Sequence, residues 1–153
     1  VATFTESNFT PESYEDVDAE STTTTESIGK AVVKIAKDLH AAAIIASTER
    51  GGTAQMISKF RPACPIVAVS PHEAIVRRLQ LNWGVQAVTG KEANDTDAVV
   101  DNAIFAALDN DLIKAGDLVV LTAGVPVAKA GSTNMIRVQV VGDVLLHRQS
   151  LCR

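Results

Sequence analysis

The sequence predicts an α/β domain with three layers, α-β-α, around a mostly parallel five-stranded sheet whose last strand is antiparallel. Three observations carry this. Short apolar runs alternate with segments of helical periodicity, and such alternation builds parallel sheets covered on both faces. The runs "AAAIIA", "CPIVAVS" and "GDLVVLTAG" are apolar at consecutive positions, as strands buried on both faces are. The final run, "NMIRVQVVG", instead places Ile136, Val138 and Val140 on one face and Arg137 and Gln139 on the other. No helical segment separates it from the run before, so it returns antiparallel, as a half-exposed edge.

Each element follows in chain order. Val1 to Glu20 is acidic, polar and aperiodic, and reads as a tail or linker from a preceding segment. The α/β domain is expected over residues 21–146, with 147–153 as a C-terminal extension. Thr23 and Glu26 stand at capping-box spacing before Ile28, Val32, Ile35 and Leu39, which recur as one helix face. Ala41–Ala46 is the first buried strand. A helix runs from about Thr53 to Phe60, with Thr53 as a candidate N-cap, and Arg61 and Pro62 end it. "CPIVAVS" is the second strand. "PHEAIVRRLQL" is a helix with Pro71 near its start. "WGVQAVTG" is a short third strand. Thr96 or Asp95 caps a helix with Val99, Val100, Ala103, Ile104, Ala107 and Leu108 on one face. "GDLVVLTAG" is the fourth strand, and a Gly/Pro loop leads to the fifth.

Composition excludes several classes of function. The 153 residues fit one domain, and a formal net charge of −4 argues against nucleic acid as the main partner. The longest apolar stretches fall far short of the ~20 residues that span a bilayer, so no membrane partner is expected. Cys64 and Cys152 lie far apart without His or Cys at ligand spacing. They read as reduced thiols in a cytoplasmic setting. Val1 stands where an initiator Met would, so the chain reads as a processed product or a piece of something longer.

The most informative stretch is "ASTERGGTA", Ala46 to Ala54. It joins a buried strand to a helix, and helix N-termini carry free N–H groups and partial positive charge. Gly51 and Gly52 let backbone amides approach an anion. Ser47, Thr48 and Thr53 supply hydroxyls, and Arg50 supplies charge. The loop lacks the Lys-Ser/Thr end of a P-loop and is not GxGxxG. Two readings stand: a phosphate-binding loop, or glycines serving a tight turn. Glu49 favours the second, since a carboxylate beside a dianion costs roughly 1 kcal/mol even when exposed. If the first strand neighbours the fourth, Ser47–Thr53 shares a crevice with the loop Ala123–Thr133, where ligands of such sheets bind.

Other polar residues have structural explanations. Lys59 and Arg61 complement a helix C-terminus. His40, His72 and His147 fall at a helix end, a helix start and a strand end. Trp83 is expected to pack over the sheet. Asp95, Asp97 and Asp101 belong to a helix's first turns, and Asp117 to a turn before a strand. No paired carboxylates, activated nucleophile or metal-ligand cluster emerges, so neither catalytic nor metal-binding residues are expected in this chain.

Four segments taken together are more specific. "STERGGTAQMISKFRPACPIVAVSP", "LNWGV", "KAGDLVVLTAGVP" and "GSTNMIRVQVVGD" strongly resemble, in one collinear order, the C-terminal domain of pyruvate kinases, particularly bacterial ones. The resemblance covers about Thr23 to Gly142. The ending "VVGDVLLHRQSLCR" is similar to forms that continue into an extra domain, but "RQSLCR" departs from their glycine-rich pattern. The resemblance implies a glycolytic enzyme that moves a phosphoryl group from phosphoenolpyruvate to ADP with Mg2+ and K+. It implies too that this chemistry belongs to a barrel absent here, leaving this chain catalytically silent and without cofactor. Its implied roles are to bind a phosphorylated allosteric effector, a sugar phosphate such as fructose 1,6-bisphosphate or a nucleotide monophosphate such as AMP, and to help build an oligomer. Thr48–Thr53 corresponds to the family's effector phosphate loop, and about Gly124–Thr133, with Lys129, Gly131 and Ser132, to its second effector loop. Animal enzymes grip the other phosphate with a tryptophan and an arginine of the preceding helix and an arginine in this loop. Here the helix positions are Glu92 and Val99, and Lys129 is the only cation of the loop. Asn134–Val141 is expected to pair with its own copy across a two-fold axis. The competing readings are a purely structural oligomerisation domain with an idle crevice, and a free-standing Rossmann-like nucleotide-binding protein.

Overall fold

The computed structural model describes residues 23–125 and 133–142. Its elements, in chain order, are α1 (Thr24–Asp38), β1 (Ala43–Ser47), α2 (Gly52–Lys59), β2 (Ile66–Ser70), α3 (Glu73–Leu79), β3 (Val85–Thr89), α4 (Thr96–Asp109), β4 (Leu118–Ala123) and β5 (Met135–Val140). The five strands form one sheet in the order β3-β2-β1-β4-β5. All neighbours are parallel except β4 and β5, which run antiparallel with Val120 opposite Val138. This is the α/β architecture expected from the alternation of elements, including the reversed last strand.

Burial explains the layers. Ala43, Ile44, Ile45 and Ala46 of β1 are all 0% exposed, so the strand needs cover on both faces. Ile44 and Ala46 point toward α1, α2 and α3, where they meet Val32, Ile57 and Leu79. Ala43 and Ile45 point the other way, toward Val100, Ala103, Ile104 and Ala107 of α4. Three helices therefore cover one face and α4 alone covers the other. At Gly29 the first helix comes close to the second: an added Cβ would lie 3.2 Å from both Met56 and Phe60.

The ends of the elements follow local chemistry. Thr23 Oγ1 accepts the Glu26 N–H at 3.2 Å, half of the expected capping box, while the Glu26 carboxylate lies 3.5 Å from Lys30. Asp95, not Thr96, caps α4 by accepting the Ala98 N–H at 2.9 Å. Asp117 holds the turn before β4 by accepting the Lys114 N–H at 2.9 Å. Three expectations need correction. Thr53 is not the N-cap of α2; Gly51 is, because the chain enters the helix at φ +89°, where a Cβ is disfavoured. Pro71 lies two residues before α3, whose cap position is His72. Trp83 does not pack over the sheet: half-buried in the loop before β3, its ring lies beneath the Arg61 guanidinium, 5.6 Å from the centroid. Its carbonyl accepts the Ser58 hydroxyl at 2.7 Å.

Leu121 is 0% exposed, sits beside Ile45 in the sheet and belongs to the cluster beneath α4. Leu121→Ala is expected to cost about 2–5 kcal/mol, and Asp95→Ala about 1 kcal/mol. Urea unfolding should show both as lower midpoints with unchanged slopes.

Candidate functional site

The site is built by the positions of β1 and β4. They are parallel neighbours, so the segments that leave their carboxyl ends gather at one end of the sheet. The chain turns from β1 toward β2 on one side, while β4 lies on the other. This is a topological switch point, where a crevice opens between diverging loops.

The first loop is locked by its own hydrogen bonds. Thr48 N–H donates to the Val69 carbonyl at 2.9 Å, extending the ladder with β2 by one residue. The buried Thr48 side chain then accepts the Gly51 N–H at 2.9 Å, closing a tight turn. Gly51 enters α2, and the Gln55 N–H donates back to its carbonyl at 3.0 Å. The amides of Gly52, Thr53 and Ala54 open the helix and have no intrahelical acceptor. Gly51 caps without a side chain, so no hydroxyl of its own covers these donors.

The second loop meets the first at this point. Thr53 Oγ1 and Thr133 Oγ1 are 2.6 Å apart, joining residues 80 positions distant in sequence. The Asn134 side-chain amide brackets Val125, accepting its N–H at 2.9 Å and donating to its carbonyl, so the two stems of the second loop are tied together. Thr122 Oγ1 adds a bond to the Met135 carbonyl at 2.9 Å.

Between the loops lies a cleft of about 130 Å³. The lining includes Ser47, Thr48, Arg50, Gly52 and Thr53, so five of the expected anion-loop residues converge there, whereas Gly51 is not part of it. Lys129, Gly131 and Ser132 lie outside the described residues. Lys91, Val99, Asn102 and Thr133 also contribute to the wall of the cleft. Of the two positions singled out on the approach to the second loop, Val99 is buried in that wall, whereas the exposed Glu92 is not part of the lining.

The electrostatics are mixed. Arg50 and Lys91 bring positive charge, Glu49 negative. The Glu49 carboxylate is held by His72, with Oε2 2.8 Å from Nε2, which draws it toward the start of α3. Asp97 faces Arg137 at 3.3 Å. Among the described residues, no group of three or more His, Cys, Asp or Glu side chains is arranged to hold a metal ion. Cys64 lies away from the cleft, just before β2, and burial pushes its thiol pKa up.

Sequence reasoning did not single out Lys91 or Asn102, and it reached Thr133 only as the last residue of the second loop. Thr133 carries the plainest signal: it is the second hydroxyl of "GST", directly before the last strand. Lys91 and Asn102 lack even that, since Lys91 reaches the cleft from the segment after β3 and Asn102 from α4, and only the sheet order brings the two together.

The family model described as pyruvate kinase, alpha/beta domain, matches residues 26–139. The pyruvate kinase of Geobacillus stearothermophilus is 47% identical over 132 residues, a stretch that covers 86% of this chain and 22% of that protein. The pyruvate kinase of Staphylococcus aureus is 42% identical over 126 residues, covering 82% and 22%. The crystal structure of a pyruvate kinase from Cryptosporidium parvum superposes with a TM-score of 0.69 at 29% identity, covering 79% of this chain and 23% of that one. The chain thus spans under a quarter of the length of these relatives. On the match of fold, order and sequence, the chain belongs to the pyruvate kinase alpha/beta domain family.

Proposed function

We propose that this chain is the regulatory domain of a pyruvate kinase, and that it binds the phosphate of an effector at the start of α2. The observation that supports this most is the meeting of Thr53 with Thr133 beside the open amides of Gly52 and Thr53. A phosphate in the cleft would accept from those amides and gain charge from Arg50. The helix N-terminus contributes ~0.3–1 kcal/mol, and each hydrogen bond to the charged group about 1.5–3 kcal/mol. The effector class is a sugar phosphate or a nucleotide monophosphate. With Glu92 outside the lining and Val99 apolar, Lys91 is, beside Arg50, the lining cation that would serve the rest of such a ligand.

The complete enzyme would transfer a phosphoryl group from phosphoenolpyruvate to ADP. That step needs metal ions and cations around the moving group. Mg2+ and K+ are proposed to be held by segments of the longer protein. A second role is assembly. Val138 and Val140, each 42% exposed, lie on the strand that is outermost among the described residues, whose far edge has no strand partner among them. This edge, within Asn134–Val141, is proposed to pair with its copy across a two-fold axis.

Titration of the chain with fructose 1,6-bisphosphate, AMP or inorganic phosphate should move the amide resonances of Gly51, Gly52 and Thr53 first. Thr53→Ala should weaken binding several-fold, and Glu49→Lys should tighten it. Resonances that stay fixed at saturating ligand would leave the domain a structural one with an idle crevice. The chain alone should show no turnover of phosphoenolpyruvate and ADP in a coupled assay; measurable turnover would refute the assignment of catalysis to a missing barrel. Sedimentation over a wide concentration range should reveal a dimer, and Val138→Pro should shift it toward monomer. A strictly monomeric parent chain would dismiss the self-pairing.

A further inference from the structure

The turn that leads into α2 is gripped from the side by α3. Arg78, in the last turn of that helix, donates from Nη2 to the backbone carbonyl of Arg50. At the other end of the same peptide unit, the Gly51 N–H donates to Thr48 Oγ1 at 2.9 Å. The Arg50–Gly51 peptide is therefore held at both of its polar ends. Leu79 supports it from below: a Cβ added to Gly51 would lie 3.1 Å from Leu79 Cδ2 and 3.3 Å from Arg78 Nη2.

The orientation of this peptide has consequences for the cleft. Glycine populates both signs of φ, so a peptide unit next to glycine turns over at little steric cost. Turning it over would take the Arg50 carbonyl off Arg78 and the Gly51 N–H off Thr48. It would also change the angle at which Gly52 and Thr53 enter the helix, and these are the residues whose amides face the cleft. Arg78 itself is not among the lining residues, so it acts on the cleft through the loop.

We propose that Arg78 is a positioning residue for the anion loop: by holding the Arg50 carbonyl it keeps the first amides of α2 aimed at the cleft. The proposal rests on the anion-binding role given above. Two physical effects need separation. A guanidinium near the loop also attracts an anion through space, and that part is screened by salt and shared with a lysine. The hold on the carbonyl is short-range and geometric, so it persists in salt, and lysine, a point charge on a flexible stem, reproduces it only in part.

The test compares the 153-residue chain with its Arg78→Met and Arg78→Lys variants. Binding of inorganic phosphate is measured by calorimetry at low and high salt. Arg78→Met should bind up to about tenfold more weakly, because without the hold on the Arg50 carbonyl other loop conformers compete with the binding-competent one. The ratio to the parent should survive high salt, Arg78→Lys should recover only part of the loss, and thermal midpoints should stay close to the parent's. Equal affinity in the Met variant would overturn the proposal. So would full recovery by lysine with a difference that vanishes in salt, since that pattern is through-space charge alone. A ligand-free readout separates this from failure of the anion role. The carbonyl carbon shift of Arg50 and the amide exchange of Gly51 should change in Arg78→Met even if the parent binds no phosphate; their constancy would show that Arg78 does not hold the loop.

Discussion

The parallel pairing of β1 with both β2 and β4 is the constraint on which the rest of the molecule depends. A strand paired on both edges and apolar at four consecutive positions must be covered above and below. Parallel neighbours cannot be joined by a tight turn, so each connection has to climb over a face as a helix. Those two demands produce the three layers. They also decide where the chain's polar loops collect, because strands running in the same direction release their loops at the same end. The cleft is thus a by-product of how the core is satisfied. Small side chains help: Ala43 and Ala46 leave room for α4 on one face and for α1 and α2 on the other.

Much of this architecture was legible in the sequence because it depends on period. The doubly apolar runs gave β1, β2 and β4, and the alternation at Ile136–Val140 gave an edge strand running backward. The pair Asp95 and Thr96 marked the start of α4, and the structure selects Asp95 as its cap. What escaped depends on geometry that period does not encode. Thr53 looked like a cap because hydroxyls usually cap helices. Here the backbone enters α2 with a positive φ at Gly51, so a glycine takes the cap and the Thr53 hydroxyl is left to reach Thr133. Trp83 reads in sequence as a residue packed over the sheet. Its place in a loop leaves it beneath a guanidinium instead.

The candidate site was half legible for a related reason. The loop after β1 is a continuous stretch, and its glycines and hydroxyls announce a close backbone approach. The rest of the lining comes from the segment after β3, from α4 and from Thr133 shortly before β5, which share no local pattern. Lys91, Asn102 and Thr133 meet only after the sheet order is set. Sequence can show that a loop is fit to approach an anion. It shows far less readily what stands across from it.

Glu49 illustrates how packing changes the meaning of a residue. In the sequence it counts against anion binding, since it adds negative charge between Thr48 and Arg50. In the fold its carboxylate is engaged by His72, at the cap position of α3, 2.8 Å away. The carboxylate is therefore held toward one side of the cleft. The same helix reaches the loop again one residue later, at the Arg50 carbonyl, through Arg78. Two successive residues of the loop are thus restrained from the two ends of one short helix. Such a loop has few alternative conformations to lose when a ligand arrives, so less ordering entropy opposes binding than for an unsupported glycine-rich turn. The electrostatic cost of Glu49 and the rigidity of the loop belong to one arrangement: the helix that restrains the carboxylate also fixes the amides beside it.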